Sequence, residues 1–147
     1  MIKELAEYEK LSDQVKLTSD ALKNDCFGDD KFCGCLVAEV NESTGSSTGS
    51  TGGSFLVGYA LYYYTYSTFE GRSIYMEDLF VKPEFRGQGV GSKLWEGVTK
   101  IGLEKKCSRL DFVVLDWNKN SIEYYKRKGS IDMTQLEGWH LFRMQKQ

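Results

Sequence analysis

The most constraining segment of the chain is the glycine-rich stretch RGQGVG at residues 86–91, between a strand-like run at 73–81 and an amphipathic helical stretch from residue 92. Its alternating glycines let backbone N–H groups approach an anion without hindrance from Cβ atoms. The helix that follows directs its first unpaired amides and its positive dipole end to the same place. Arg86 adds a charge whose fork geometry suits phosphate. This order of strand, loop and helix predicts a pyrophosphate-binding site.

Two common pyrophosphate loops match this segment poorly. A nucleoside-triphosphate loop has lysine followed by serine or threonine after its last glycine, whereas here Ser92 precedes Lys93. The dinucleotide fingerprint is G-x-G-x-x-G early in a strand–helix–strand unit, whereas this chain has G-x-G-x-G from residue 87. Asp111 does lie 20 residues after Gly91, where that fold has its ribose-binding acid, so the second alternative keeps one of its expected residues.

Composition indicates an ordinary globular protein. A chain of 147 residues with 41% hydrophobic and 27% charged residues is expected to form a single domain over residues 1–147. Its net charge of -2 gives no reason to expect nucleic acid or an anionic membrane as a partner. Since no apolar run approaches 18 residues and Lys3 and Glu4 follow the start directly, we expect neither a membrane span nor a secretory signal.

The four cysteines are expected to be reduced thiols. They are Cys26, Cys33, Cys35 and Cys107, and Cys33-Gly34-Cys35 lacks the spacing of a metal-ligand pair. The lone His140 cannot complete a zinc site with them. These residues predict a metal-free, cytoplasmic protein.

Local patterns predict a mixed α/β fold. Helices are expected near the N-terminus (Ile2, Leu5 and Ala6), at 19–24 capped by Thr18, at 92–106, and from Asn120 to Gly129 with Glu123 completing a capping box. Strands are expected at 32–40, 54–66, 73–81, 110–115 and 139–144. The polar tract at 43–53 (STGSSTGSTGG) is expected to be a flexible loop.

Further segments accompany the glycine loop: 74–81 (IYMEDLFV), 116–118 (DWN), 124–129 (YYKRKG) and 137–139 (EGW). With the loop, they resemble the GNAT N-acetyltransferases and, among these, the spermidine/spermine (diamine) N-acetyltransferase family, over essentially the whole chain. Residues 10–15 (KLSDQV) and 66–68 (YST) resemble its thialysine N-acetyltransferase branch.

The resemblance implies a particular sheet. It is mixed and mostly antiparallel, with flanking helices and a parallel pair that splays around Phe80 and Val113. Family members begin with a strand before the position of Met1, so we expect the first strand to be missing here.

The resemblance also implies acetyl-CoA or CoA as co-substrate, with no metal. The expected contacts come from the end of a strand, the glycine loop and two later segments: Leu79, Phe80, Val81, Arg86, Gly87, Gln88, Gly89, Val90, Gly91, Ser92, Asn118, Ser121 and Tyr125.

Acetyl transfer from a thioester to an amine requires two proton transfers. The amine must lose a proton, because an alkylammonium of pKa about 10.4 is no nucleophile, and the departing thiolate needs an acid of comparable strength. The resemblance places the acid at Tyr125 and the base at Glu77, acting through water. Because Glu77 and Asp78 are consecutive on a strand, only one is expected to face the cleft unless a bulge intervenes.

A cationic substrate also calls for acidic and aromatic contacts. The family's substrate positions correspond to Tyr8, Glu9, Glu77, Asp78, Glu137 and Trp139, and the indole can face the cation. For Glu9 and Glu137 a solvated surface role is an equal alternative. The polyamine-preferring branch has an acid where this chain has Ser67, which favours a shorter amine bearing its own carboxylate, such as thialysine.

We therefore expect a homodimeric N-acetyltransferase that moves acetyl from acetyl-CoA to a small basic amine, thialysine or a polyamine such as spermidine, by direct attack in a ternary complex. The alternative is a truncated, non-catalytic CoA-binding or dimer-modulating protein. A weaker alternative is protein N-acetylation. Retention of Glu77 and Tyr125 favours the enzyme, because binding alone needs neither.

Overall fold

A computed structural model of the chain describes residues 1–41 and 53–145. By its internal contacts the chain divides into two compact units, Met1–Val113 and Val114–Gln147. The loop predicted at 43–53 lies outside the described residues apart from Gly53, and the single domain over residues 1–147 stays a prediction.

The first unit is built on a four-stranded sheet in the order β1-β2-β3-β4. The strands are β1 Gly34–Asn41, β2 Ser54–Ser67, β3 Gly71–Val81 and β4 Arg109–Asp111. The first two pairings are antiparallel and the third is parallel. β-Branched and aromatic residues suit the long central strands, and the predicted mixed, mostly antiparallel α/β fold is confirmed.

The parallel pair is short. It runs from Ser73–Arg109 to Tyr75–Asp111, so the later part of β3 has no parallel partner within the described residues. The splay around Phe80 and Val113 stays a prediction, because β4 ends before Val113. The strand predicted at 110–115 was too long, since β4 ends at Asp111. A continuous apolar run predicts that a segment is buried, but it does not show how many of its residues pair with a neighbouring strand.

Among its described residues, the first unit has three α-helices, α1 Ile2–Tyr8, α2 Ser19–Phe27 and α3 Val90–Glu104, and two short 3-10 helices, Ser12–Gln14 and Pro83–Phe85. The Thr18 hydroxyl caps α2 by accepting from the Ala21 amide at 3.2 Å, as predicted. α3 buries Leu94 and Val98 against one face of the sheet. At Gly58 of β2, the neighbouring strand and α3 both come close, because a Cβ there would lie 2.8 Å from the Phe80 carbonyl oxygen and 3.2 Å from a Leu94 methyl group.

The second unit contains α4 Lys119–Arg127 and α5 Met133–Glu137. The cap of α4 is Asn118, whose side chain accepts from the Ser121 amide at 3.3 Å, so the predicted cap at Asn120 was wrong. α5, capped by Asp132, was not predicted. The strand predicted at 139–144 is not formed among the described residues, because an apolar segment becomes a strand only where a neighbouring strand completes its ladder.

The cysteine prediction was wrong for one pair. Cys26 and Cys33 form a disulfide, whereas Cys35 and Cys107 are free thiols. After α2 the chain folds back so that the Phe32 amide donates to the Asp25 carbonyl at 2.7 Å. This turn brings the two Cα atoms to 4.9 Å, within disulfide range, which the spacing of cysteines in the sequence does not reveal.

Candidate active site

The glycine loop presents an open backbone surface at the start of α3. Gly87 and Gly89 have φ values of +74° and +82°, and a Cβ on either would meet nothing within 4 Å. Gly89 is also the N-cap of the helix and supplies no capping side chain. The start of α3 therefore presents backbone N–H groups from which an anion can accept hydrogen bonds, and the pyrophosphate role of the loop stays a prediction.

Arg86 connects this loop to the end of β3. Its Nε donates to the Val81 carbonyl oxygen at 2.8 Å, and its guanidinium lies 5.4 Å from the Tyr8 ring centroid and 5.6 Å from that of Phe80. Gln88 makes a similar link, donating to the Glu84 carbonyl at 3.1 Å. Arg86 thus supplies positive charge beside the loop and also has a structural role that the sequence did not indicate.

A β-bulge separates Glu77 from its neighbours in β3. Leu61 of β2 pairs with Asp78, and the next residue, Tyr62, pairs with Met76. Glu77 is therefore the extra residue, opposite no single partner. Because a bulge breaks strict alternation, the exception allowed for in the sequence applies, and the side chains of Glu77 and Asp78 can leave the same face of the sheet.

Two tyrosines of β2 show that both carboxylates lie on the same face of the sheet. The Tyr59 hydroxyl donates to Asp78 Oδ2 at 2.8 Å, and the Tyr63 hydroxyl donates to Glu77 Oε2 at 3.1 Å. Tyr59 and Tyr63 are four residues apart on one strand and so share a face. We refer to this surface, formed by Tyr59, Tyr63, Glu77 and Asp78, as the acidic face.

Sequence reasoning missed both tyrosines. Their alternation in β2 was the available signal. It could not be connected to the carboxylates, because the bulge that brings Glu77 and Asp78 to the same face is not visible in the residue pattern.

The pKa values of two carboxyl groups, one on the acidic face and one beside it, are raised. Burial raises the pKa of Asp78 above its usual range, with the Tyr59 hydrogen bond opposing and the Glu77 charge adding to the rise. Burial also raises the pKa of Glu9, and the charges of Asp78 and Glu77 add to the effect. Glu9 therefore lies close enough to feel both carboxylates, so the structure brings three of the predicted substrate residues together.

The tyrosine phenols are held in their protonated form. Burial, followed by the charge of Glu77 and the hydrogen bond to it, raises the pKa of Tyr63 to about 12. Burial likewise raises the pKa of Tyr59, with Asp78 as the next cause. Both phenols are therefore donors at neutral pH.

The other predicted site residues belong to the second unit. Asn118 and Ser121 form the cap of α4. Tyr125 lies on α4, partly buried, with its ring 5.2 Å from that of Tyr124 in an edge-to-face arrangement. Trp139 Nε1 donates to the Glu137 carboxylate, and both side chains are exposed. These two predicted substrate residues are thus joined directly, while the roles of all five stay predictions.

A separate cavity of about 350 Å³ lies at the other end of β3, among residues that include Tyr64, Arg72 and Cys107. It contains none of the predicted site residues. Within residues 1–41 and 53–145, no three histidine, cysteine, aspartate or glutamate side chains are grouped to hold a metal ion. In the same part of the chain, no helix combines the length and apolar character needed to span a bilayer.

Sequence comparisons agree with these features. Residues 3–129 match the model of the acetyltransferase (GNAT) family. A thialysine N-epsilon-acetyltransferase of Sus scrofa is 53% identical over 145 residues, which cover 99% of this chain and 83% of that protein. A spermidine/spermine N(1)-acetyltransferase-like protein 1 of Homo sapiens is 38% identical over 147 residues, which cover 100% of this chain and 20% of that protein.

Structural comparisons support the fold. An integron cassette protein from the mobile metagenome of V. cholerae superposes with a TM-score of 0.67 at 20% identity, covering 97% of this chain and 81% of its own. An aminoglycoside acetyltransferase from an uncultured soil metagenomic sample superposes with a TM-score of 0.64 at 14% identity, covering 99% and 88%. At these identities the similarity concerns the fold alone.

Proposed function

Because this chain belongs to the acetyltransferase (GNAT) family, we propose that it transfers acetyl from acetyl-CoA to a primary amine of a small basic molecule. Thialysine is the favoured substrate, and a diamine or polyamine such as spermidine is the alternative within the same class. Attack is direct, in a ternary complex. The observation that carries the proposal is the acidic face on β3, followed along the chain by an open glycine loop.

The loop is the proposed binding site for the pyrophosphate of acetyl-CoA. Gly87 and Gly89 leave room for an anion, and the uncapped start of α3 offers amide donors. Beyond Tyr75, β3 has no parallel partner in the described residues. An N–H of Leu79, Phe80 or Val81 can then stabilise the oxygen of the acetyl group as it gains charge.

Two residues take the proton-transfer roles. Glu77 accepts the proton of the amine through water, since it is exposed on the acidic face. Tyr125 donates to the departing sulfur, for which a phenol of pKa about 10 is a suitable acid. Acetyl-CoA supplies the activated acyl group, and the protein supplies orientation and the two transfers.

The acidic face also explains why the substrate should be a cation. Glu9, Glu77 and Asp78 place three carboxylates close together, and the rise in the pKa of Glu9 and Asp78 reflects partial burial as well as mutual repulsion. A bound ammonium group relieves that repulsion. Trp139 and Glu137 are proposed to extend the site with an aromatic face and a further charge.

The choice of thialysine rests on the relatives and on Ser67. Proteins named thialysine N-epsilon-acetyltransferase are 53% and 49% identical to this chain, and Ser67 leaves one acid fewer than a long polyamine would use. We further propose a cytoplasmic homodimer, by analogy with the family alone, because the Cys26–Cys33 disulfide removes the argument from reduced thiols.

Steady-state rates with acetyl-CoA and thialysine, lysine, spermidine or putrescine test the proposal. We expect the highest kcat/KM with thialysine. Binding of CoA without turnover of any of the four amines would instead support a non-catalytic CoA-binding protein.

A further inference from the structure

Glu77 is an exposed residue at a bulge of β3. A glutamate in that position has a broad choice of orientations for its carboxylate. Its recorded contact is the hydroxyl of Tyr63, 3.1 Å from Oε2. Tyr63 is itself held, because its ring stacks on that of Tyr75 with centroids 5.2 Å apart and planes 25° from parallel.

We propose that Tyr63 is a positioning residue for Glu77, and that its phenol fixes Oε2 so that Oε1 is kept as the acceptor of the proton that reaches Glu77 from the amine through water. This inference rests on the proposed function, in which Glu77 is the base. Tyr63 touches neither the amine nor the acetyl group, and it acts through the carboxylate alone.

Among the groups around Glu77, Tyr63 is the one that donates a recorded hydrogen bond to its carboxylate. The titratable residues that act on Glu77 or on its partner Tyr63 are Asp78 and Tyr75 on β3, Glu9 after α1, and Tyr63 itself on β2. Tyr59 donates to Asp78, and the two acids repel Glu77. Since the pKa of Tyr63 is raised to about 12, its phenol stays a donor throughout the pH range in which the enzyme can be assayed.

A hydrogen bond to a carboxylate favours its charged form. Tyr63→Phe is therefore expected to lower kcat/KM for thialysine about 3- to 10-fold at neutral pH, and to move the acid limb of the pH–rate profile upward by about half a pH unit or more. The KM for acetyl-CoA should not change. Tyr66→Phe is the matched control, because Tyr66 lies on the opposite face of β2 and is 74% exposed.

A double-mutant cycle separates positioning from packing. If Tyr63 acts through Glu77, Tyr63→Phe should cost nothing further in a Glu77→Gln background. An equal loss in both backgrounds, or an unshifted pH profile for Tyr63→Phe beside an impaired Glu77→Gln, would overturn the positioning role. A Glu77→Gln variant with the rate and profile of the wild type would instead overturn Glu77 as base, which is a failure of the proposed function.

Discussion

Asp78 carries a charge at a place where folding removes much of its water. Its pKa is raised by burial, so the native state binds this proton more tightly than the unfolded chain does. The contribution of Asp78 to the free energy of unfolding therefore falls as pH rises through the window between the ordinary and the raised pKa, and it stays low above that window.

Asp78→Asn should accordingly stabilise the protein at pH 7, because the amide can still accept from Tyr59 and carries no buried charge. The advantage over the wild type should shrink as pH is lowered from 7 to about 4, because the native wild type takes up this proton more readily than the unfolded chain does. Urea unfolding at both pH values measures this. Asp30→Asn is the control, since Asp30 is exposed, and an equal advantage at both pH values for Asp78→Asn would contradict the explanation.

Tyr125 is the residue proposed to act as the acid. Tyr125→Phe should lower kcat about 10- to 1000-fold, because the ring is kept and the proton donor is lost. Affinity for CoA, measured by calorimetry, should hardly change. Tyr124→Phe is a matched control on the same helix. Unchanged turnover in Tyr125→Phe at neutral pH would show that another group is the acid or that the thiolate leaves unaided.

At the scale of elements, the loop and α3 act together. Gly89 combines a left-handed backbone with an open surface, so Gly89→Ala introduces strain of about 1 kcal/mol and a methyl group where the pyrophosphate is proposed to lie. We expect a loss of CoA affinity of at least about 10-fold, corresponding to one or two amide hydrogen bonds to an anion.

Gly71→Ala provides the comparison for that loop variant. Gly71 has φ +87° and equally open surroundings, but it is the first residue of β3, directly after the β2–β3 turn. Both variants should lose similar stability in thermal unfolding, while Gly71→Ala binds CoA as the wild type does. Equal CoA affinity in all three proteins would exclude the loop as the pyrophosphate site.

The elements also show which parts of the structure a sequence can predict. The strands β2 and β3 and the helix α3 were placed to within about two residues, because alternation, β-branched content and helical periodicity are local signals. β4 was overestimated and the strand at 139–144 was wrong, because ladder length depends on a partner. The disulfide and the bulge at Glu77 depend on how segments meet, which local patterns do not contain.

At the scale of the whole molecule, Ser67 raises the question of a second chain. Its hydroxyl accepts from the amides of Phe69 and Glu70 at 3.2 Å, within the turn that joins β2 to β3. Ser67 pairs with Gly71, six residues before Glu77 on β3, which is about 20 Å of strand. An effect of Ser67 on a substrate bound at Glu77 would therefore have to act along an extended substrate or through the second chain of the proposed homodimer.

Ser67→Asp should shift the ratio of kcat/KM values from thialysine toward spermidine by about fivefold, or about 1 kcal/mol, if the new carboxylate is partly exposed. Aspartate can keep the turn, since it accepts the same backbone hydrogen bonds. The exposed neighbour Thr68 supplies the control Thr68→Asp, which adds the same charge outside that hydrogen-bonded position. A wild type that acetylates spermidine far faster than thialysine would contradict the substrate assignment but not the fold.

The bulge at Glu77 divides β3 into two parts with opposite alternation of their side chains. On the N-terminal side of the bulge, the odd-numbered residues Ser73 and Tyr75 of β3 lie on the same face of the sheet as Thr65 and Tyr63 of β2. On the C-terminal side of the bulge, the even-numbered residues Asp78 and Phe80 lie on that face instead. The one extra residue thus reverses which side chains, odd-numbered or even-numbered, lie on a given face of the sheet. Deleting this residue would move every side chain between Asp78 and the glycine loop to the opposite face of the sheet, or else displace the loop itself. The segment from Glu77 to Arg86 should therefore tolerate substitutions far better than insertions or deletions.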